Sequence, residues 1–215
     1  MEDVCKCDVT IPDGHRYLEG RLEVPGHARA LIIFAHGSGS SRFSPRNTLV
    51  AQKLRPAGFG TLLFDMVTAV EDRDPARRSD IGMMAERLQT VSRWVVHQPA
   101  TKHLPTGYYG SSTGAAVAVA AAVVTRQPYA IVSRGGRLDL IGDILPKLES
   151  PIQLIAGEKD PETLALNRSA YKQIQTVKRL SLIRDASHLF EEPGCLDKVA
   201  QLAIEWFTRY LPHHE

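Results

Sequence analysis

The sequence predicts an α/β doubly wound sheet with an antiparallel N-terminal edge, and three observations predict it. Residues 4–11 and 16–24 alternate apolar and polar side chains on either side of Pro12-Asp13-Gly14, the pattern of two half-buried strands joined by a turn. From residue 30 the apolar runs become continuous, as in strands covered on both faces by helices. Between those runs lie segments whose apolar residues recur at helical spacing.

In the first pair, Cys5, Cys7, Val9 and Ile11 alternate with Lys6, Asp8 and Thr10, so the two cysteines read as inward-facing core residues and only secondarily as metal ligands. Leu18, Gly20, Leu22 and Val24 share one face of the second strand, with Tyr17, Glu19, Arg21 and Glu23 on the other. The buried strands are expected at residues 31–35, 61–64, 130–132, 152–156 and 180–183, with another ending at Tyr108-Tyr109. Pro45 marks a helix start, and Gly58 and Gly60 follow its end. Met84, Leu88, Val91 and Val95 form one helical stripe before Pro99, and Leu196, Val199, Ala203, Trp206 and Tyr210 form another. The stretch 66–79 is polar and charged enough to be a loop, with room to move.

At 215 residues the chain has the length of one domain, 1–215, and can bury a large core without disulfides or metals. Its 26 basic and 24 acidic residues leave a formal charge of +2, so nothing in its composition calls for nucleic acid or an anionic membrane. The three cysteines suit a reducing, cytoplasmic setting better than a secreted disulfide framework. The N-terminus lacks the basic region and apolar run of a secretory signal, and no stretch approaches the roughly 20 apolar residues of a membrane span.

In sheets of this kind ligands gather at the carboxyl ends of the strands. There the chain places a Gly-x-Ser-x-Gly motif, Gly110-Ser111-Ser112-Thr113-Gly114, between a strand and a helix of small residues. This is the sequence form of a nucleophile elbow, whose sharp turn lifts the serine hydroxyl toward a base. His188, just past the last strand, is the expected base. Asp160, in Gly157-Glu158-Lys159-Asp160-Pro161, is the expected orienting acid, in the chain order serine, acid, histidine. Asp160 also fits a helix N-cap, and Glu158 and Asp139 are rival acids. The backbone N–H groups of Ser38 and Thr113 are the expected oxyanion donors, with neither side chain required. A phosphate-cradling role for Gly37-Ser38-Gly39-Ser40-Ser41 is weaker, because the loop lacks the lysine of a P-loop and the spacing of a dinucleotide fingerprint. Arg42, Arg134 and Arg137 lie on loops facing the elbow and are candidates to bind a substrate carboxylate, with Arg77 and Arg78 able to reach it from the long loop.

Together, His36-Gly37-Ser38-Gly39-Ser40-Ser41, the elbow, Gly157-Glu158-Lys159-Asp160 and Ser187-His188-Leu189-Phe190 resemble the α/β-hydrolase superfamily, in particular small cap-less members near the dienelactone hydrolases. The resemblance covers essentially the whole chain. It implies a mostly parallel eight-stranded sheet with the second strand antiparallel, Ser112 as nucleophile, Asp160 and His188 as its partners, and no metal or organic cofactor. Dienelactone hydrolases carry cysteine at the elbow where this chain has Ser112, a departure that bears on the dienelactone substrate itself. Similar sequences are also found joined to phosphoribosyltransferase domains. The stretch between residues 132 and 152 is too short for a helical cap, so the expected partner is a small ester, thioester or lactone at a shallow site. The other readings are a small-peptide hydrolase with the same three residues, a non-catalytic binding protein on this scaffold, and a nucleotide-binding module.

Overall fold

A computed structural model describes residues 5–212. The chain opens with strands β1 (Cys5–Asp13) and β2 (Arg16–Val24). They pair antiparallel from Cys5 opposite Val24 to Asp13 opposite Arg16, so Gly14 and His15 alone make the turn, with Gly14 at φ 61°. There follow β3 (Ala30–Ala35), α1 (Pro45–Leu54), β4 (Phe59–Phe64), the one-turn α2 (Pro75–Arg78) and α3 (Ile81–Val95). The second half runs β5 (Thr106–Ser111), α4 (Thr113–Thr125), β6 (Ile131–Arg134), β7 (Ile152–Gly157), α5 (Pro161–Gln173), β8 (Lys178–Ile183) and α6 (Cys195–Arg209).

The eight strands form one sheet in the order β1-β2-β4-β3-β5-β6-β7-β8. Only the β1–β2 and β2–β4 pairings are antiparallel; the rest are parallel. Each face is covered by helices. On one, α1 and α6 pack together, placing Val50, Leu54, Val199 and Phe207 against Phe34 and Tyr109. On the other, α3 and α4 pack together over Leu31, Ile33, Leu62 and Tyr108. The α3 stripe is fully committed to this layer: Met84, Leu88, Val91 and Val95 are all buried, each contributing roughly 1.5–3 kcal/mol of transfer free energy. Local signals place the helix starts: Pro45 follows the Ser44 cap, and Asp80 and Asp160 accept N–H bonds from the residues three positions on. Between β6 and β7 the chain makes only a short 3₁₀ run, Leu138–Lys147, and inserts no cap.

Three expectations are corrected. Cys5 and Cys7 are exposed, because burial on edge strand β1 falls from Ile11 through half-buried Val9 to the cysteines; Val4 lies outside the described residues. The last strand is not covered on both faces, since β8 is the opposite edge and Leu182 is exposed. The stretch 66–79 is not an unstructured loop: Met66 and Glu71 are buried, a 3₁₀ turn spans Glu71–Arg73, and Arg87 of α3 holds Glu71 through two 2.8 Å bonds. Among the described residues no helix is long and apolar enough to cross a membrane.

Candidate active site

The order of strands reverses at β3, which has β4 on one side and β5 on the other, so the segments leaving β3 and β5 face each other at the carboxyl edge of the sheet. The chain leaving β5 turns so sharply that Ser112 takes φ 53°, ψ −123°, a conformation that side-chain-bearing residues rarely adopt. Two glycines permit the turn by close approach rather than by flexibility. A Cβ on Gly110 would lie 2.4 Å from Ala115 Cα, and one on Gly114 would lie 2.1 Å from the Ala35 carbonyl oxygen. Hydrogen bonds hold the strained residue: Ser112 N–H donates to the Arg134 carbonyl at 3.0 Å, and the Ser112 carbonyl accepts from Ala115 and Arg137 N–H groups at 3.1 Å. Ser112→Gly is therefore expected to stabilise the fold by about 1 kcal/mol relative to Ser112→Ala, which keeps the Cβ, in urea unfolding.

Ser112 and His188 line one cavity of about 250 Å³, together with Gly37, Ser38, Ser40, Ser44, Arg46, Ser111, Arg134 and Leu189. His188 Nδ1 lies 2.7 Å from Asp160 Oδ2 and 3.2 Å from Thr163 Oγ1. With Nδ1 donating to this pair, Nε2 is left as the basic nitrogen. Asp160 also caps α5, its Oδ1 accepting the Thr163 N–H at 3.2 Å, so cap and histidine partner are one residue. Burial pushes the Asp160 carboxyl up, but the hydrogen bonds from Thr163 and His188 outweigh it and hold the group below the ordinary aspartate value. The rival acids are engaged elsewhere. Asp139 takes both bonds from Arg137, at 2.9 and 2.8 Å, and Glu158 accepts the Asp185 N–H at 3.3 Å.

The loop after β3 is set by His36, which is buried. Its ring bridges the Gly37 carbonyl at Nδ1 (2.9 Å) and the Met66 N–H at Nε2 (3.1 Å), a pattern that requires Nδ1–H and a bare Nε2. Burial lowers its proton affinity, so the ring is neutral at pH 7. Gly37 then passes close to the elbow, where a Cβ would lie 3.2 Å from Ser112 Cβ. Ser38 N–H donates to Thr113 Oγ1 at 2.7 Å, and Thr113 N–H lies in the first turn of α4, where helices have no internal acceptor to offer.

Of the arginines, only Arg134 among those expected from the sequence lines the cavity. Arg42 pairs with Asp65 and stacks on Phe43, and Arg137 is bound to Asp139; neither lines the cavity, because each has an acid within reach of its own loop. Arg77 reaches the Met83 sulfur and Arg78 lies 4.0 Å from Asp72, both also off the cavity. Two residues of the site were not anticipated. Arg46, held by Glu191 at 2.5 Å, lies in the first turn of α1, and Thr163 sits three residues after Asp160, the spacing of a capped first turn. Among the described residues no group of three or more histidines, cysteines and acids is arranged to hold a metal.

A family model described as an alpha/beta hydrolase domain matches residues 28–205. The chain belongs to the α/β-hydrolase family. Within that family it is similar to a dienelactone hydrolase from Anabaena variabilis: 47% identity, TM-score 0.93, covering 97% of this chain and 99% of that one. Est1E from Butyrivibrio proteoclasticus shares the fold at 14% identity, with a TM-score of 0.76 over 94% of this chain and 99% of that one. Among curated proteins, the chain is 47% identical over 205 residues to one named "Putative phosphoribosyl transferase" in Mycobacterium tuberculosis. That match takes in 95% of this chain but 46% of the relative, so the chain spans about half the length of the curated protein it matches.

Proposed function

We propose that this α/β-hydrolase cleaves a small ester, thioester or lactone through an acyl-enzyme on Ser112. The observation that carries the reading is the strained serine at φ 53° sharing a cavity with an imidazole whose far nitrogen lies 2.7 Å from a partly buried carboxylate. Ser112 Oγ forms a bond to the carbonyl carbon while His188 Nε2 takes the hydroxyl proton. The tetrahedral oxyanion is met by the N–H groups of Ser38 and Thr113. The bond to the leaving oxygen or sulfur then breaks, and His188 returns the proton to that atom. Water, deprotonated by the same nitrogen, adds to the acyl carbon; the bond to Ser112 Oγ then breaks, His188 returns the proton to Oγ, and the acid leaves. Asp160 and Thr163 hold the imidazole in one tautomer throughout.

In the resting protein Ser38 N–H is already used by Thr113 Oγ1. A charged oxygen binds an N–H about twice as strongly as a neutral hydroxyl does, so the oxyanion displaces it. Thr113→Val is expected to change kcat by less than about threefold. A loss of a hundredfold or more in steady-state hydrolysis would make the hydroxyl itself the donor.

The name carried by the curated relatives belongs to proteins more than twice as long; we assign the transferase activity that it implies to the half this chain does not match. The test of the hydrolytic reading is labelling with a fluorophosphonate, followed by peptide mapping and a series of aryl esters, thioesters, lactones and aminopeptide amides. Modification at Ser112 with ester or lactone turnover is expected. No labelling, or turnover confined to the amides, would overturn it.

A further inference from the structure

Arg134 is 7% exposed, and its guanidinium has no ion pair and no hydrogen bond among the described residues; Nη1 is fully buried with no partner. The Phe190 ring lies 5.9 Å from its Cζ. Two other charged groups at the site are matched: Arg46 by Glu191, and Asp160 by its bonds to His188 and Thr163. An unpaired buried cation costs several kcal/mol, so a fold that keeps one has either a ligand for it or a reason to bear the loss. Arg134 lines the cavity that holds Ser112, and its own carbonyl accepts the Ser112 N–H, which fixes its backbone beside the nucleophile.

We propose that Arg134 is the binding site for a single carboxylate on the acyl part of the substrate, so that the preferred esters are those of short dicarboxylic acids. This deepens the hydrolase reading and rests on it. One uncompensated positive charge matches a monoanion; a phosphate dianion would exceed it. The acyl group stays bonded to Ser112 through both halves of the reaction, so a charge there keeps the guanidinium matched until the product leaves. A charge on the leaving group would be lost after the first half. The cavity, of about 250 Å³, has room for a short acyl chain.

The test compares aryl butyrate with aryl hemisuccinate, hemiglutarate and hemiadipate. In the wild-type chain kcat/KM for the best hemi-ester should exceed that for the neutral ester by about ten- to a hundredfold, the range of a hydrogen-bonded charge pair. In Arg134→Gln and Arg134→Met that ratio should fall to about one, and Arg134→Lys should keep part of it. Equal rates in the wild type, or an advantage that survives in Arg134→Gln, would overturn the subsite while fluorophosphonate labelling of Ser112 left the hydrolase reading standing. Calorimetry of succinate with Ser112→Ala gives a readout free of catalysis: binding that Arg134→Gln abolishes supports the subsite, and no binding counts against it. Removing an unmatched charge should also raise the thermal midpoint of Arg134→Met by a few degrees. A fall of that size would mean that the guanidinium serves the fold instead.

Discussion

Ser112→Ala is expected to lower ester turnover by several powers of ten, on the order of 10⁴ to 10⁶. The size follows from covalency: without the hydroxyl no acyl-enzyme forms, and what remains is water attack aided by the oxyanion donors alone. His188→Ala should cost about as much, and the double variant no more than either, because nucleophile and base act as one unit. Asp160→Asn should cost less than either, since Thr163 Oγ1 still lies 3.2 Å from Nδ1 and keeps some hold on the ring. The Asp160 carboxyl is held below the ordinary aspartate value. It therefore remains an anion at every pH where an imidazole can accept a proton, and the wild-type pH profile should show no loss that traces to this acid above pH 5. Steady-state rates on an aryl ester, corrected for active enzyme by fluorophosphonate titration, decide the matter. Additive losses in the double variant would separate the two residues and break the scheme.

The sheet was legible because its signals are local. The nearly unbroken apolar runs at residues 31–35 and 152–156 are satisfied by strands covered on both faces, and both are interior strands of the sheet, buried along their whole length. Ser112, Asp160 and His188 were picked out by another local rule, that each lies in the segment leaving a strand end, and the structure places the latter two 2.7 Å apart. What stayed hidden depends on extent or on pairing. The alternation through Cys5, Cys7, Val9 and Ile11 gives the period of a strand but not where its cover stops, and cover stops before the cysteines. Arg42, Arg134 and Arg137 looked equivalent, each a loop arginine near the elbow. They differ in whether an acid is within reach: Asp65, 23 residues on, takes Arg42, Asp139 takes Arg137, and no acid among the described residues takes Arg134. In sequence Arg87 is one more polar position on an amphipathic helix, yet it is buried as deeply as the neighbouring Met84.

That arginine carries the largest expected effect on stability. Arg87 donates two 2.8 Å bonds to Glu71 and a third to the Met66 carbonyl, and a 3.1 Å bond to Asp13; Glu71 also accepts the Thr68 N–H and hydroxyl at 2.9 and 3.0 Å. Hydrogen bonding from Arg87 brings the Glu71 carboxyl from 4.5 down to about 2, against the upward push of burial. Its folded value is depressed, so its contribution, up to about 3 kcal/mol, is complete above pH 4.5 and is lost as the pH falls from there toward 2. Arg87→Met leaves the buried Glu71 carboxylate with only Thr68 and the half-exposed Arg16, 3.4 Å away, and is expected to destabilise the fold by about 3 kcal/mol at pH 7. Glu71→Gln should cost less, because Asp13 still faces the guanidinium, and should remove most of the acid-side loss seen in wild-type urea midpoints between pH 5 and 2. The network also reaches the site: Arg87 fixes Met66, whose N–H fixes His36, whose ring fixes the Gly37 carbonyl beside Ser112. Glu71→Gln is therefore expected to lower kcat more than it raises KM, since what loosens is the segment carrying the Ser38 N–H and not Arg134, which lines the cavity from β6. A fall in stability with kcat unchanged would show that the network holds the sheet edge alone, and a midpoint no less sensitive to acid than the wild type's would show that Glu71 is not its titrating member.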